Sequence, residues 1–294
     1  MHSITRLILC PALIMVSLNS GSAQVSEPAT VVSSADNQSA VEFSKQASNP
    51  LANLWLLQSQ QNNQWIGMPP DAEHRIESNL QFQPLMSVPL TENWKLFARP
   101  VLQLFNSSPY QDQTGRDRRI TGFGDTVLAF AVSPGPALVG RWLLAAGPTF
   151  ILPTATETAL GQKKWQFGPT TAVGYVGKSF ITYAFAQQWF GIAGNSRKTN
   201  QMNTYYAFVY AFSNGWSIGT SPNFAVNWEG SKGNKVSFPV GPQIGKLVKI
   251  GAMPVKFELQ ALYYPIHPDV YAPKWNVQLQ VTPLLPALIK RKLL

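Results

Sequence analysis

From Pro50 onward, apolar and polar positions alternate along the chain with a period of two. Tyr206, Phe208, Tyr210 and Phe212 share one face of such a run, opposite Tyr205, Ala207, Val209 and Ala211. Trp275, Val277, Leu279 and Val281 share another face, opposite Asn276, Gln278, Gln280 and Thr282. Val255, Phe257, Leu259, Ala261 and Tyr263 oppose Lys256, Glu258 and Gln260. Ile76, Leu80 and Phe82 oppose Glu77, Asn79, Gln81 and Gln83. The alternation predicts twelve strands, near 52–60, 74–89, 93–105, 119–133, 139–153, 165–177, 179–192, 202–212, 215–228, 235–248, 251–264 and 274–285. Many exceed the mean globular strand of about 5–6 residues. They suit the ~9–11 residues of a tilted membrane strand.

The connections alternate short and long. Thr91-Glu92-Asn93, 133–137, Gly177-Lys178, Ser213-Asn214-Gly215 and Lys249-Ile250 are tight. The segments 107–119, 154–164, 193–201, 229–234 and 265–273 are longer. A soluble sandwich has no reason to alternate in this way, whereas a membrane barrel has short periplasmic turns and long outer loops. The fold class expected is therefore all-β: a transmembrane, antiparallel, up-and-down barrel of about 12 strands. Its apolar face meets lipid, and the face bearing Gln, Asn, Lys and Glu turns to the lumen. Trp94, Trp165, Trp189, Trp216 and Trp275 lie near strand ends and suit interfacial girdles.

Composition sharpens this picture. Only 13% of the 294 residues are charged, against 45% hydrophobic and 16 Phe, 9 Tyr and 9 Trp. That charged share is roughly half the usual ~25%, so much of the surface is expected not to face water. Arg6, the apolar run Leu7–Val16 and the small pair Ser22-Ala23 read as an export signal over 1–23. Cys10 lies inside it, so a chain cleaved after Ala23 holds no cysteine, no disulfide and no thiolate metal site. Loss of Arg6 takes the net charge from +9 to +8. The export signal argues against nucleic acid as partner and favours anionic outer-membrane lipid and lipopolysaccharide. The expected organisation is a signal (1–23), a periplasmic leader, flexible or partly helical (24–49), the barrel (50–286) and a basic tail (287–294). The location expected is the outer membrane of a Gram-negative bacterium.

Two sets of residues could carry function. Glu77, Gln81, Gln83, Arg99, Gln103, Gln243, Lys256, Glu258, Gln260, Gln278 and Gln280, with Lys95, would line the lumen. They would form a polar passage of mixed charge, or a side-chain plug of ion pairs and amide hydrogen bonds. A strand pair closed near His267 would set Glu258 opposite Gln278 and Lys256 opposite Gln280. Arg116, Arg118, Arg119, Lys163, Lys164, Arg197, Lys198, Lys232 and Lys235 would form a basic rim. The rim could gather anionic solutes or pair with lipopolysaccharide phosphates. Catalytic residues, cofactor and metal are not expected. His74 and Ser78 share a strand face about 13 Å apart, too far for a hydrogen bond. Gly122-Phe123-Gly124 sits in a strand with no following helix, which marks a bend and not a phosphate cradle.

Several stretches in order resemble the meta-pathway of phenol degradation family of bacterial outer-membrane proteins. They are Asn49-Pro50-Leu51-Ala52-Asn53-Leu54, Gln61-Asn62-Asn63, Gly122-Phe123-Gly124-Asp125-Thr126, Gly147-Pro148-Thr149-Phe150-Ile151-Leu152-Pro153-Thr154-Ala155-Thr156, Trp165-Gln166-Phe167-Gly168-Pro169, Asn227-Trp228-Glu229, Lys246-Leu247-Val248-Lys249-Ile250-Gly251 and Pro273-Lys274-Trp275-Asn276. The resemblance spans about 50–286 and implies an outer-membrane barrel of a family labelled as transporters. The chain departs from it at the end, where Leu284-Leu285-Pro286 runs on into Lys290-Arg291-Lys292. The function expected is passive passage of a small solute, hydrophobic or aromatic on the family's name alone. A non-conducting barrel with a filled lumen and, third, an outer-membrane lipid hydrolase are the competing readings.

Overall fold

The computed structural model describes residues 34–67, 74–112, 114–196, 198–269, 272–289 and 291–293. The export signal read at 1–23, the first part of the leader and Arg197 lie outside them. The chain begins with α1 (Ser34–Ala47) and continues into β1 (Trp55–Gly67), β2 (His74–Pro89), β3 (Trp94–Gln111), β4 (Asp117–Gly122) and β5 (Thr126–Pro134). A one-turn helix, α2 (Pro136–Val139), leads to β6 (Trp142–Leu152), β7 (Lys164–Val176), β8 (Phe180–Gly194) and β9 (Asn200–Ala211). Then come β10 (Trp216–Thr220), β11 (Asn223–Asn227), β12 (Val236–Val240), β13 (Gln243–Ile250), β14 (Met253–Ile266) and β15 (Pro273–Leu285). The pairs β4/β5, β10/β11 and β12/β13 are interrupted halves of single staves. The result is a closed antiparallel barrel of twelve strands. β15 seals it by pairing with both β14 and β1, with Gln280 opposite Glu258 on one side and Gln60 on the other.

Period-two alternation decides what each side meets. Along β7, every even residue from Lys164 to Gly174 is buried and the odd residues between them are exposed. The outward face carries two aromatic belts. Trp94, Trp142 and Trp216 are exposed at the short-turn end, and Trp165, Trp228 and Trp275 at the loop end. Amphipathic rings at both rims suit the two membrane–water interfaces. Trp142 packs edge-on to Tyr175, and Trp275 packs on Tyr263 with ring centroids 4.8 Å apart. Trp189 departs from the girdle expectation. It faces inward, 3% exposed, and its Nε1 donates to Thr149 Oγ1 at 3.1 Å.

Two irregularities have physical causes in the sequence. On β1 the outward positions Ser59, Gln61 and Asn63 are polar, so alternation there is silent, and β1 runs to Gly67 where the pattern suggested an end near 60. Those outward groups satisfy one another: Gln61 Nε2 donates to Asn63 Oδ1 (3.3 Å), as does Ser78 Oγ (2.9 Å). The second irregularity is a seam between staves β10/β11 and β12/β13. Gly219 pairs with Gln243 below it, and Ala225 with Ser237 above it. Between these points, 220–224 and 238–242 face each other without ladder pairs. Pro222, Pro239 and Pro242 supply no N–H there. Their carbonyls are taken up by Tyr206 N, Tyr206 Oη and Ala261 N. Tyr206 stacks on Phe238 over the outside of the seam, 5.8 Å between centroids.

The segment 107–119, expected as a loop, is instead the upper half of a long hairpin of β3 and β4. Asp112 fastens its tip: the carboxylate accepts from Thr114 Oγ1, Arg118 Nε and the amides of Arg116 and Thr114. Those bonds, led by the Thr114 hydroxyl, hold the Asp112 carboxyl below the usual carboxylate range. The 153–163 segment is anchored likewise. Asp125, 6% exposed, accepts from Ala155 N (3.1 Å) and Gln162 N (2.7 Å). Hydrogen bonds to a charged acceptor are worth about 1.5–3 kcal/mol each. Asp125→Ala should therefore free this loop while the barrel stays closed. Limited trypsin digestion should then cut at Lys163 at least tenfold faster than in the parent, with the heat-dependent gel shift of the barrel retained.

The lumen as candidate functional site

The interior has two halves. At the short-turn end it is apolar: Leu56, Leu85, Phe97, Ile181, Val209 and Leu284 are buried there, among small residues such as Ala129, Ala145 and Ala172. A uniformly polar lumen, as the sequence suggested, is thus not what forms. The runs around β6 to β8 are apolar on both faces, so polarity could not tell inside from outside. This half is filled by α1 and the turn after it. Ala47 and Ala52 are fully buried, and Leu51 nearly so. α1 is tied at its end to the barrel: Lys45 Nζ reaches Gly177 O at 3.4 Å and also pairs with Glu42 at 2.8 Å. Asn49 Oδ1 caps Leu51 N (2.8 Å), which turns the chain from α1 toward β1.

Above α1 lies a tier of charged and amide side chains. Lys256, fully buried, pairs with Glu258 at 2.7 Å and donates to Ser48 Oγ just after α1. Glu258 accepts from Gln243 Nε2 and, at 2.8 Å, from Gln280 Nε2. The pair has room because residue 245 is glycine: a Cβ there would stand 2.6 Å from Ser217 Oγ and 3.2 Å from both Glu258 Cγ and Lys256 Cε. The registers Glu258 to Gln280 and Lys256 to Thr282 differ by two residues from the expected pairing, because the connection between β14 and β15 is centred on Asp269 and not nearer His267.

On the facing wall, Arg99 of β3 donates to Gln83 Oε1. Its guanidinium carbon then lies 4.7 Å from the ring centre of Tyr205 (β9) and 5.6 Å from that of Phe185 (β8), spanning the barrel. Gln83 also donates to Gln60 (3.2 Å) and Gln81 (2.6 Å). Toward the loops, amides hand on hydrogen bonds from stave to stave: Asn276 to Asn62 (3.2 Å), Asn62 to Asn79 (3.5 Å), Asn79 to Asn106, and Asn106 to Gly122 O (3.5 Å). Gln103 Nε2 closes on Asp125 O at 3.0 Å. Gln260, 1% exposed, finds no partner among the described residues for either amide atom, and neither does Asn223 Oδ1. Asn62 and the inward Gln60 were missed by sequence reading because β1 is polar on both faces, and Asn106 because the strand was expected to end near 105. Glu77 is half-buried, Gln278 also, and Lys95 donates to Asn53 Oδ1.

Between α1 and the polar tier remains a cavity of about 80 Å³. Arg99, Tyr183, Phe185, Tyr205, Asn223 and Glu258 are among its walls. At roughly 10–15 Å³ per water it has room for about five to eight waters. It is smaller than the ~150 Å³ that takes up benzene in a protein core, so a ring enters only where α1 or a side chain yields.

The basic residues at the loop end do not form one exposed set. Arg116, Arg118, Lys163, Lys198, Lys232 and Lys235 are exposed, and Lys163 and Lys198 share a polar hollow with Glu229. Arg119 is exposed as well, and donates to Ser107 Oγ (2.8 Å) and Ile76 O. Lys164 is a correction to the rim: it is 7% exposed and lies along Gly191, because β7 begins one residue earlier than expected and places it on the inner face. Ser78, considered as half of a catalytic pair, donates to Asn63. Among the described residues no cluster of His, Cys, Asp and Glu could hold a metal.

An aromatic-belted, closed, twelve-strand barrel with inward amides is an outer-membrane β-barrel. No family model and no curated protein matches the chain. Among solved structures, an outer membrane channel from Pseudomonas putida F1 is similar at TM-score 0.55 and 12% identity, over 79% of this chain and 95% of that one. That likeness bears on the fold. A FadL homologue from Pseudomonas aeruginosa (TM-score 0.41, 8% identity, 85% and 94% covered) is too distant to carry an argument. The same holds for outer membrane phospholipase A from Escherichia coli (TM-score 0.33, 8% identity, 79% and 89% covered).

Removing one member of a buried ion pair costs about 3–5 kcal/mol, whereas replacing both by apolar groups is often neutral. Lys256→Met should therefore lower the urea midpoint of the folded barrel markedly. Lys256→Met with Glu258→Leu should recover most of it, and a double variant no better than the single one would show that the pair is not coupled.

Proposed function

We propose that the protein is a gated outer-membrane channel for passive passage of a small aromatic or apolar solute. The observation that carries this reading is the cavity between α1 and the polar tier, walled by aromatic rings, amides and one arginine. A wide aqueous pore needs a larger barrel and an open lumen. Here α1 and the turn after it fill the apolar half, and among the described residues their side-chain ties to the barrel are Lys45 to Gly177 O, Ser48 to Lys256 and Asn53 to Lys95, few enough to exchange. The resemblance of its ordered stretches to the meta-pathway of phenol degradation family, though no family model matches, suggests the same class of solute. The exposed basic residues of the rim suit pairing with lipopolysaccharide phosphates in a Gram-negative outer membrane. No catalytic role is assigned.

The filled lumen equally favours one other reading, a non-conducting barrel. Solute flux into liposomes carrying the refolded protein separates the two. The channel reading expects benzyl alcohol or a similar small aromatic to enter several-fold faster than a disaccharide. It also expects that deleting 34–47 raises both rates. No flux above empty liposomes for the full chain and the deletion variant alike, from protein with a normal heat-dependent gel shift, would leave the non-conducting barrel standing.

A further inference from the structure

We propose that Arg99 forms an anion subsite inside the lumen, and that the preferred solute is a small aromatic acid whose carboxylate it binds. This rests on the passage reading above and names its substrate class.

The argument begins with charge. The buried part of the lumen holds Lys256 and Glu258, which neutralise each other at 2.7 Å. Lys45 at the end of α1 has Glu42. Arg99 has no carboxylate within ion-pair distance among the described residues. Its partners are one amide oxygen, Gln83 Oε1, and the faces of Tyr205 and Phe185. A guanidinium offers five donors in a planar fork that fits a carboxylate with two parallel bonds. Gln83 uses one donor, and ring faces use none as directed hydrogen bonds. The cavity wall therefore carries one net positive charge with unused donors, on a half-buried side chain beside a space with room for only a few waters.

The shape of the surroundings selects the rest of the ligand. Tyr205 and Phe185 stand within 6.3 Å of each other, centroid to centroid, and Tyr183 lines the same space. A flat ring bearing a carboxylate can lie against these faces while its anionic end meets Arg99. Asn223, beside Tyr205 in the β11–β9 pairing, presents an unpartnered, buried Oδ1 to the same cavity, an acceptor suited to a ring hydroxyl. An aliphatic acid would meet the arginine but not the rings, and a neutral aromatic the rings but not the arginine. Arg99 is unbranched and can swing from Tyr205 as the ligand enters, which supplies space that about 80 Å³ does not.

The test is calorimetric binding of benzoate, benzyl alcohol and acetate to the full-length protein in detergent, alongside the liposome flux of the same three. Benzoate should bind at least tenfold more tightly than either of the others, as a charge-assisted bidentate contact implies about that factor or more. Arg99→Gln should remove this advantage and leave benzyl alcohol unchanged, while Arg99→Lys, which keeps the charge and loses the fork, should retain part of it. A normal heat-dependent gel shift in each variant excludes misfolding. Equal binding of benzoate and benzyl alcohol, or a benzoate preference that survives Arg99→Gln, overturns the subsite whatever the flux. Preferential binding without flux keeps the subsite and overturns passage instead.

Discussion

In hydrocarbon no water is present to satisfy a backbone N–H or C=O, so a chain that crosses with strands must close its sheet on itself. The rest of this structure depends on that constraint. Closure of β15 onto β1 forces every second side chain into a confined interior, and polar groups that point there must find partners among themselves. The asparagine chain from Asn276 to Asn106 and the Glu258 cluster are how the loop-side half does so. Where the seam leaves backbone unpaired, prolines remove the donors and Tyr206 takes up a carbonyl, so the wall holds without a full ladder.

The same confinement explains the place of α1. The short-turn half of the interior is lined by leucines, isoleucine and alanines, and a barrel empty at that level would expose them to water. The end of α1 and the turn to β1 supply the apolar surface that covers them. The two layers therefore have different characters. The lower is non-directional packing, which in the proposed channel would be exchanged for solute. The upper is a hydrogen-bonded frame around Glu258 and Lys256, to which Arg99 is joined through a single amide. In the proposed channel, passage would belong to the lower layer and selectivity to the upper.

Much of the barrel was legible in the chain. The strand runs, the short and long connections and the inward Gln81, Gln83, Lys256, Glu258 and Gln260 follow from period two alone. What was hidden has a common cause. Where both faces of a strand share a character, alternation carries no sign: the polar β1 concealed its own length and Gln60, and the apolar β6 to β8 concealed the apolar half of the lumen. Lys164 and the β14–β15 register were misplaced by one and two residues, which period two punishes by changing a face or a partner. The leader was expected to be flexible or partly helical, but the place of α1 in the lumen was hidden for another reason. Its sequence, Ser34–Ala47, is mostly polar with little amphipathic contrast, so nothing in it points to a place inside a barrel.

The most direct test of the account is whether α1 occupies the lumen in a bilayer. Spin labels on Glu42→Cys in α1 and Asn93→Cys in the β2–β3 turn would report it through their distance distribution in liposomes. A single narrow distribution without solute, broadening when benzyl alcohol or benzoate is added, is what a solute-exchanged plug predicts. A broad distribution of long distances in the absence of solute would place α1 outside the barrel and contradict the account.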